Sequence, residues 1–423
     1  MLDPRWVRDH PDEVKEAGRK KHLPCSDTVD EFLAVDRELR VLLPEVEGLR
    51  AEQRTSSKAV AAASSEARPG LVSRRKQIKE RLVELSTNEK RLKERRSELL
   101  LLLPNIPAPD VPEGLDDSDN LEIRRVGEPP AFDFEARDHV ELGQSLDIIE
   151  IPRAARISGT RNYFLKGDGV VLEEAVLRLA FEHMLDKGFV PLAVPLLVRD
   201  PAMVGTAYFP GGEEQAYRLE KDGLNLIGTG EVPVTSFHTG EILDVSELPK
   251  LYVTRSACFR REAGTYGKDT KGLYRVHQFH KVEQVIVDVD DAERSLRHHH
   301  EITRNAEELL ELLGLPYRVV NVCGGDLGQP QVQKFDIETW MPSRNGYGET
   351  HSASRFHDFQ ARRLEIKYRG KDGRTRFCHT LNNTVVASPR ILIAILENCQ
   401  RADGSVEIPE ALRGYMGKDR IGG

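Results

Sequence analysis

The chain is poor in the features that mark several common classes of protein. Its cysteines, Cys25, Cys258, Cys323, Cys378 and Cys399, are scattered and form no CxxC pair. That argues against a structural zinc site of thiolates and against a disulfide framework. A reducing compartment, the cytosol, is the expected home. Apolar runs are short: the leucines from Leu99 to Leu103 fall far below the roughly 20 residues that cross a bilayer, so no membrane span is expected. The opening MLDPRWVRDHPDEVKEAG carries charges where a signal peptide would be apolar, and none is expected. Positive charge is not in excess, with 61 Lys and Arg against 69 Asp and Glu. A nucleic-acid partner would therefore need a local basic surface. No GxxxxGK[ST] phosphate loop occurs, and GTGEV from Gly228 and GGDLG from Gly324 are weak glycine clusters.

What is present suggests two or three domains in 423 residues. From 26 to 103 the chain is rich in Leu, Glu, Arg and Lys. Phe32, Val35, Leu39, Leu42, Val46 and Leu49 recur by threes and fours, a heptad seam that Ser26 or Asp27 can cap. Pro44 should kink this helix, and RPG at 68 to 70 should stop it. A second seam, Ile78, Leu82, Leu85, Leu92, Leu99 and Leu103, is interrupted by Glu89 and Arg96. The expectation is an antiparallel helical hairpin roughly 45 Å long or more. The second helix is basic, with Arg74, Arg75, Lys76, Lys79, Arg81, Lys90, Arg91, Lys93, Arg95 and Arg96. Such a face suits structured RNA or is the solvated side of an oligomerisation arm. PNIPAPDVPEGLDDSDN, from 104 to 120, reads as a linker. The expected division is residues 1–110 and 111–423. The second part mixes strands and helices without β-α-β alternation, so the fold class is α+β with an antiparallel sheet flanked by helices.

The most informative stretch runs from Thr254 to Gln284. Two strand-like runs flank a polar, Gly-rich loop; the first ends in Arg260, Arg261 and Glu262, and the second carries His277, Phe279, Lys281 and Glu283 at alternate positions. A ring among cations and carboxylates suits a nucleotide: the ring stacks the base, Arg holds phosphate and Glu reads an exocyclic amine. Charge alone would suit an ordinary solvated hairpin. The ordered FRREAG and RVHQFHKVEQ are more specific, and they resemble motif 2 of class II aminoacyl-tRNA synthetases, in the form found in seryl-tRNA synthetases.

Other segments extend the resemblance. VVLEEAVLRLAFEHMLDKGFVPLAVPLLV is an amphipathic helix, capped at Gly188, followed by a run that Pro191 and Pro195 restrict to a sheet edge. It is similar to motif 1, which implies a homodimer interface. LIGTGEVPVTSF resembles the family's TAE element. Thr229 and Glu231 would face one way on extended backbone and hold an ammonium group, while Gly230 should loosen the backbone there. YGETHSASRFHDFQARR and HTLNNTVVASPR resemble motif 3, with Ser388 as N-cap, Pro389 as first helical residue and Arg390 in the first turn of a helix.

The resemblance implies these roles. Arg260, Glu262 and Arg390 are catalytic. ATP is held by Arg260, Arg261, Glu262, Val276, Phe279, Glu349, Thr350, His351, Ser352 and Arg390, with Mg²⁺ on the hard oxygens of Glu349 and Ser352. Serine is held by Thr229, Gly230, Glu231, Arg260, Glu283, Asn382 and Thr384. The arm grips tRNA(Ser), with a selenocysteine tRNA as an extra substrate, through Arg74, Arg75, Lys76, Lys79 and Lys90. Two alternatives stand beside this: a paralogue that activates another small amino acid, and a non-catalytic tRNA-binding protein. The run His298 to His300 reads as a solvated helix face, not a metal site, and DVDDAE from Asp288 reads as a turn.

Overall fold

A computed structural model describes residues 1–264 and 271–422. The chain divides into two compact units, Met1–Arg19 with Leu23–Pro104 and Lys20–His22 with Asn105–Gly423.

The first unit is dominated by two long helices, α1 (Ser26–Ala62) and α2 (Arg68–Leu102). At 1.5 Å per residue each is about 50 Å long. Their apolar seams meet: Leu39, Leu42 and Val46 pack against Ile78, Leu82, Leu85 and Leu92. The polar interruptions are matched across the seam. Glu89 pairs with Arg50 at 2.8 Å and Lys93 at 2.6 Å, and Arg96 reaches the buried Asp36 at 3.3 Å. A charge in a seam is tolerated only when so paired. Two local expectations are corrected. Helix α1 continues past Pro44 and ends at Ala62, before the RPG, which instead opens α2 with its proline in the first turn. The residue preceding α1 is Cys25, whose side chain makes no capping bond, and Ser26 is already helical.

The second unit is built on one eight-stranded sheet. Its strands in chain order are β1 (Leu121–Val126), β2 (Val190–Pro191), β3 (Lys250–Phe259), β4 (Gln278–Asp288), β5 (Tyr317–Asn321), β6 (Gln333–Met341), β7 (Gly346–His357) and β8 (His379–Ala387). They lie in the order β1-β5-β6-β7-β8-β4-β3-β2. Every neighbouring pair is antiparallel except the short edge strand β2, which runs parallel to β3. The two prolines after Phe189 thus lead into an edge, where a missing N–H does no harm.

Alternation along the strands gives the sheet two unlike faces. Val282, Ile286, Phe335, Ile337, Ala353 and Leu381 join the core beneath helices α3 (Asp168–Asp186), α4 (Ala292–Leu312) and α5 (Ser388–Asn398). Lys281, Glu283, Ser352, Asn382 and Thr384 occupy the alternate positions and so the opposite, polar face. Two bulges adjust this pattern. In β8 the pairing shifts so that Val282 meets Val386 while Glu283 meets Thr384. The extra residue lets both Val385 and Val386 enter the core and returns Thr384 to the polar face. In β7 the shift falls at Thr350, because His351 pairs with Ile337 but Glu349 with Glu338.

The histidine run is not a solvated face. His299 is fully buried, stacked on Phe335 with ring centroids 4.3 Å apart, and its Nε2 lies 2.9 Å from the Ala353 carbonyl. Burial pushes its pKa down to about 3, so the ring is neutral. His298 sits between Asp288 and Glu301. Of the DVDDAE segment, Asp288 ends β4, Ala292 and Glu293 begin α4, and only residues 289–291 turn the chain between them; Asp291 caps α4 by accepting from the Arg294 N–H at 2.9 Å.

Candidate active site

The conspicuous hairpin is shorter than its sequence pattern. Strand β3 ends at Phe259 and β4 begins at Gln278, so Arg260 to Glu262 and Arg275 to His277 lie just beyond the paired strands. Half of the polar loop between them, residues 265–270, falls outside the described residues. The two legs stay joined: Arg260 N–H donates to the His277 carbonyl at 3.0 Å, and His277 Nδ1 lies 3.0 Å from the Arg260 carbonyl. Glu262 has φ of +52°, a left-handed conformation that costs a non-glycine residue about 1–3 kcal/mol. Arg161 holds its carbonyl at 3.1 Å and Arg275 its carboxylate at 3.4 Å.

These residues open onto a cavity of about 310 Å³ lined by Met203, Tyr208, Gly228, Arg260, Glu262 and Arg275, among others. Arg260 donates from Nε to the Gly228 carbonyl at 3.1 Å, and its guanidinium lies 5.4 Å from the centre of the Phe279 ring. Phe279 is nearly buried, packed with Cys258 and Val276, and does not line this cavity. Arg261 turns the other way, over Tyr217 at 5.9 Å.

Behind Arg260 lies a buried polar network that joins residues far apart in sequence. Thr229 and Glu231 are not on extended backbone. Glu231 is the first residue of a short helix, Glu231–Thr235, and its N–H donates to Thr229 Oγ1 at 3.2 Å. Glu231 Oε1 accepts from Gln360 at 2.7 Å and Oε2 from Asn382 at 3.2 Å. The same Asn382 amide donates to Glu283 Oε1 at 2.7 Å. Lys281 donates to Thr229 Oγ1 at 2.6 Å, reaches Thr384 Oγ1 at 3.5 Å and pairs with Glu283. Burial, then the neighbouring Glu283 charge, raise the Glu231 pKa to about 7, against the Gln360 hydrogen bond and the charges of Lys281 and Arg260. Asn382 Oδ1 is buried and has no hydrogen-bond partner among the described residues. Gly230 is held close to its neighbours. It has φ of −63°, and a Cβ there would sit 2.5 Å from Thr254 Cγ2.

A second group forms around Arg390. Its guanidinium donates to the Glu349 carbonyl at 2.9 Å, pairs with the Glu349 carboxylate at 3.2 Å and lies 4.5 Å from the centre of the Tyr274 ring. Burial would raise the Glu349 carboxyl, but Arg390 and then Lys334 hold it well below the usual range. Ala387 is the N-cap of α5 and Ser388 its first residue, so Arg390 occupies the third helical position. The bulge at Thr350 matters here. Thr350 and His351 are both buried, while Glu349 and Ser352 are partly exposed, so two residues three apart share one face. The Thr350 hydroxyl is spent on Thr339 at 2.7 Å and the Ile337 carbonyl at 3.2 Å. His351 lies 2.8 Å from that hydroxyl, and burial lowers its pKa to about 4. The structure brings neither side chain to the cavity.

Sequence reasoning passed over Gln360, Tyr274 and Tyr208, and gave Lys281 no role. Only DFQARR, quoted for its resemblance, pointed near Gln360. No spacing rule links it to Glu231, which is 129 residues away.

On the arm, Arg74 pairs with Glu52 at 2.8 Å, Lys76 with Glu80 at 4.0 Å and Lys90 with Glu94 at 3.8 Å. Arg75 and Lys79, one turn apart and exposed, enter no ion pair among the described residues.

Comparison with known proteins gives a consistent result. Residues 1–107 match the family described as seryl-tRNA synthetase N-terminal domain, and residues 217–399 match the tRNA synthetase class II core domain (G, H, P, S and T). The serine–tRNA ligase of Deinococcus radiodurans is 46% identical over 99% of this chain and 98% of its own length. That of Thermodesulfovibrio yellowstonii is 42% identical over the whole of both. Among solved structures, seryl-tRNA synthetase from Pyrococcus horikoshii complexed with ATP is 40% identical, with a TM-score of 0.93 over 100% of this chain and 99% of that one. Cytoplasmic serine-tRNA ligase from Naegleria fowleri in complex with AMP is 32% identical, with a TM-score of 0.88 over 100% and 98%. With such identity along its whole length, on a sheet whose polar face carries the motif residues, the chain belongs to the seryl-tRNA synthetase family.

Proposed function

We propose that the chain is a serine–tRNA ligase, which joins L-serine to ATP as seryl-adenylate and passes the seryl group to the 3′ end of tRNA(Ser). The observation that carries this reading is the buried network beside Arg260, in which Glu231 and Glu283 converge on the Asn382 amide nitrogen. Serine brings ammonium and hydroxyl protons to acceptors that the protein leaves open, and alanine would leave one unsatisfied.

In the first step serine's carboxylate attacks the α-phosphorus in line and pyrophosphate leaves. Two anions must approach, so neutralising charge is the main task. Arg260 bridges the serine carboxylate and the α-phosphate. Glu262 accepts from the adenine amine, Phe279 offers its ring to the base, and Arg261 and Val276 complete that end. Arg390 takes the leaving pyrophosphate. Glu231 forms the ammonium end of the serine pocket, with Thr229 and Gly230 beside it; Glu283, Asn382 and Thr384 form the hydroxyl end. Glu349 and Ser352 offer hard oxygens on one face and would hold Mg²⁺, which neutralises phosphate charge. The backbone of Thr350 and His351 runs between them. In the second step the terminal ribose hydroxyl of the tRNA attacks the seryl carbonyl and AMP leaves.

Residues 1–110 are the tRNA-binding domain and 111–423 the catalytic domain. The arm tracks phosphate through Arg74, Arg75, Lys76, Lys79 and Lys90, for tRNA(Ser) and as an extra substrate tRNA(Sec). Val170, Val171, Val190 and Leu197 are exposed apolar side chains near the motif 1 helix and favour a homodimer. No helix among the described residues is long and apolar enough to cross a membrane, in keeping with work in the cytoplasm.

Serine-dependent ATP–pyrophosphate exchange, followed by charging of purified tRNA(Ser), tests the reading. Exchange is expected with serine and not with threonine, glycine or alanine. Exchange only with another amino acid, or tRNA binding without any adenylate, would overturn it.

A further inference from the structure

Lys281 sits where a substrate-binding cation would be least expected. It is 4% exposed and lies among the groups assigned above to serine: 2.6 Å from Thr229 Oγ1, 3.5 Å from Thr384 Oγ1 and paired with Glu283. A lysine ammonium can only donate. Thr229 Oγ1 therefore spends one acceptor position on Lys281 and the other on the Glu231 N–H. What remains to Thr229 is its own O–H, a donor. A hydroxyl in that state cannot accept from an ammonium. It can donate to a serine oxygen.

The charges around Lys281 come from several elements. Glu283 lies on its own strand, Glu231 on the short helix Glu231–Thr235 and Arg260 just beyond β3. Cys258 of β3 and Tyr208 are the other titratable groups nearby. Two carboxylates thus face two cations. A zwitterionic amino acid leaves that balance unchanged, so Lys281 has no electrostatic reason to leave when serine enters.

We infer that Lys281 is a positioning residue for serine: fixed in the pocket wall, its ammonium turns the Thr229 hydroxyl into a donor toward the substrate and holds Glu283 to accept from serine's own hydroxyl. The ammonium of serine then falls to Glu231. The pocket is selective because its donors and acceptors are assigned before the substrate arrives, which is where hydroxyl-reading sites gain most discrimination. This rests on the serine–tRNA ligase reading.

The test uses the full-length enzyme with Lys281→Met, Lys281→Arg, Glu283→Gln and the charge-balanced double variant Lys281→Met with Glu283→Gln. The readouts are KM for serine and for ATP in pyrophosphate exchange, the serine-to-alanine ratio of kcat/KM, and the pH profile of kcat/KM for serine. Lys281→Met should raise KM for serine about tenfold or more, leave KM for ATP within about twofold and reduce the serine-to-alanine ratio about tenfold. Its pH profile should also shift upward, because Lys281 is one of the charges that holds the Glu231 carboxyl down. The double variant should melt as the wild type does yet be several-fold more defective toward serine than Glu283→Gln alone, because Lys281 also holds the Thr229 hydroxyl. A double variant no worse toward serine than Glu283→Gln alone would overturn the inference, since Lys281 would then serve charge balance alone. So would equal losses toward serine and ATP in all variants, or an unchanged pH profile. Absence of serine-dependent exchange in the wild-type enzyme would instead sink the function on which the inference rests.

Discussion

Gly230 and Thr254 touch so closely that a single methyl group separates tolerance from collision. A Cβ on Gly230 would lie 2.5 Å from Thr254 Cγ2 and 3.1 Å from Ser256 Oγ. Thr254 cannot turn away, because its hydroxyl donates to the Leu192 carbonyl at 2.8 Å. Gly230→Ala should cost about 1–3 kcal/mol of stability through overpacking. Thr254→Ser removes the colliding methyl and keeps the hydroxyl. The double variant should recover most of the loss in denaturant unfolding, and KM for serine should follow the same order.

Arg260→Ala should abolish pyrophosphate exchange. The side chain is fixed from below by the Gly228 carbonyl and the Phe279 ring, so the loss falls on charge neutralisation and not on folding. Near-normal exchange, with melting unchanged, would remove Arg260 from the chemistry.

Arg390→Lys keeps the charge but not the planar fork that spans the Glu349 carbonyl, the Glu349 carboxylate and the Tyr274 ring. Expected is a fall in kcat for exchange of about 100-fold, in the range of one lost transition-state donor. KM for serine should barely move.

Glu231 supplies a pH signature. Its carboxyl titrates near 7 in the free protein, above its ordinary value, because burial and Glu283 disfavour the charge. Binding an ammonium needs the carboxylate. So kcat/KM for serine should rise with pH through about 7 and level off above it. The stability effect has the opposite sign. Between the ordinary value of 4.5 and about 7 the unfolded chain holds fewer protons at this site, so this group's contribution to stability falls as pH rises. Glu231→Gln should flatten the serine profile.

On the arm, Arg75→Ala with Lys79→Ala should raise KM for tRNA(Ser) while serine-dependent exchange stays at the wild-type rate. The slope of log affinity against log salt should drop by about two, one for each lost phosphate contact. Replacing Arg74 should do less, since its guanidinium is shared with Glu52.

The amino-acid sequence alone determined the elements whose signals are local. The seams of α1 and α2 follow from repeats of three and four, and the motif segments place Arg260, Glu283 and Arg390 by residue order. The helix ends, the stop at Ala62 and the buried His299 are not legible in it, because caps, turns and burial depend on what packs alongside. Only the tertiary structure decided which side chains meet. Glu349 and Ser352 are three apart, and on a regular strand they would face opposite ways; the bulge at Thr350 turns them together, and it exists only as a mismatch with β6. Gln360 reaches Glu231, and Lys281 reaches Thr229, across gaps in the chain that no periodicity spans. A strand dictates which way its residues alternate, but the partner strand sets the register, and register decides which polar atoms share a buried space and must satisfy one another.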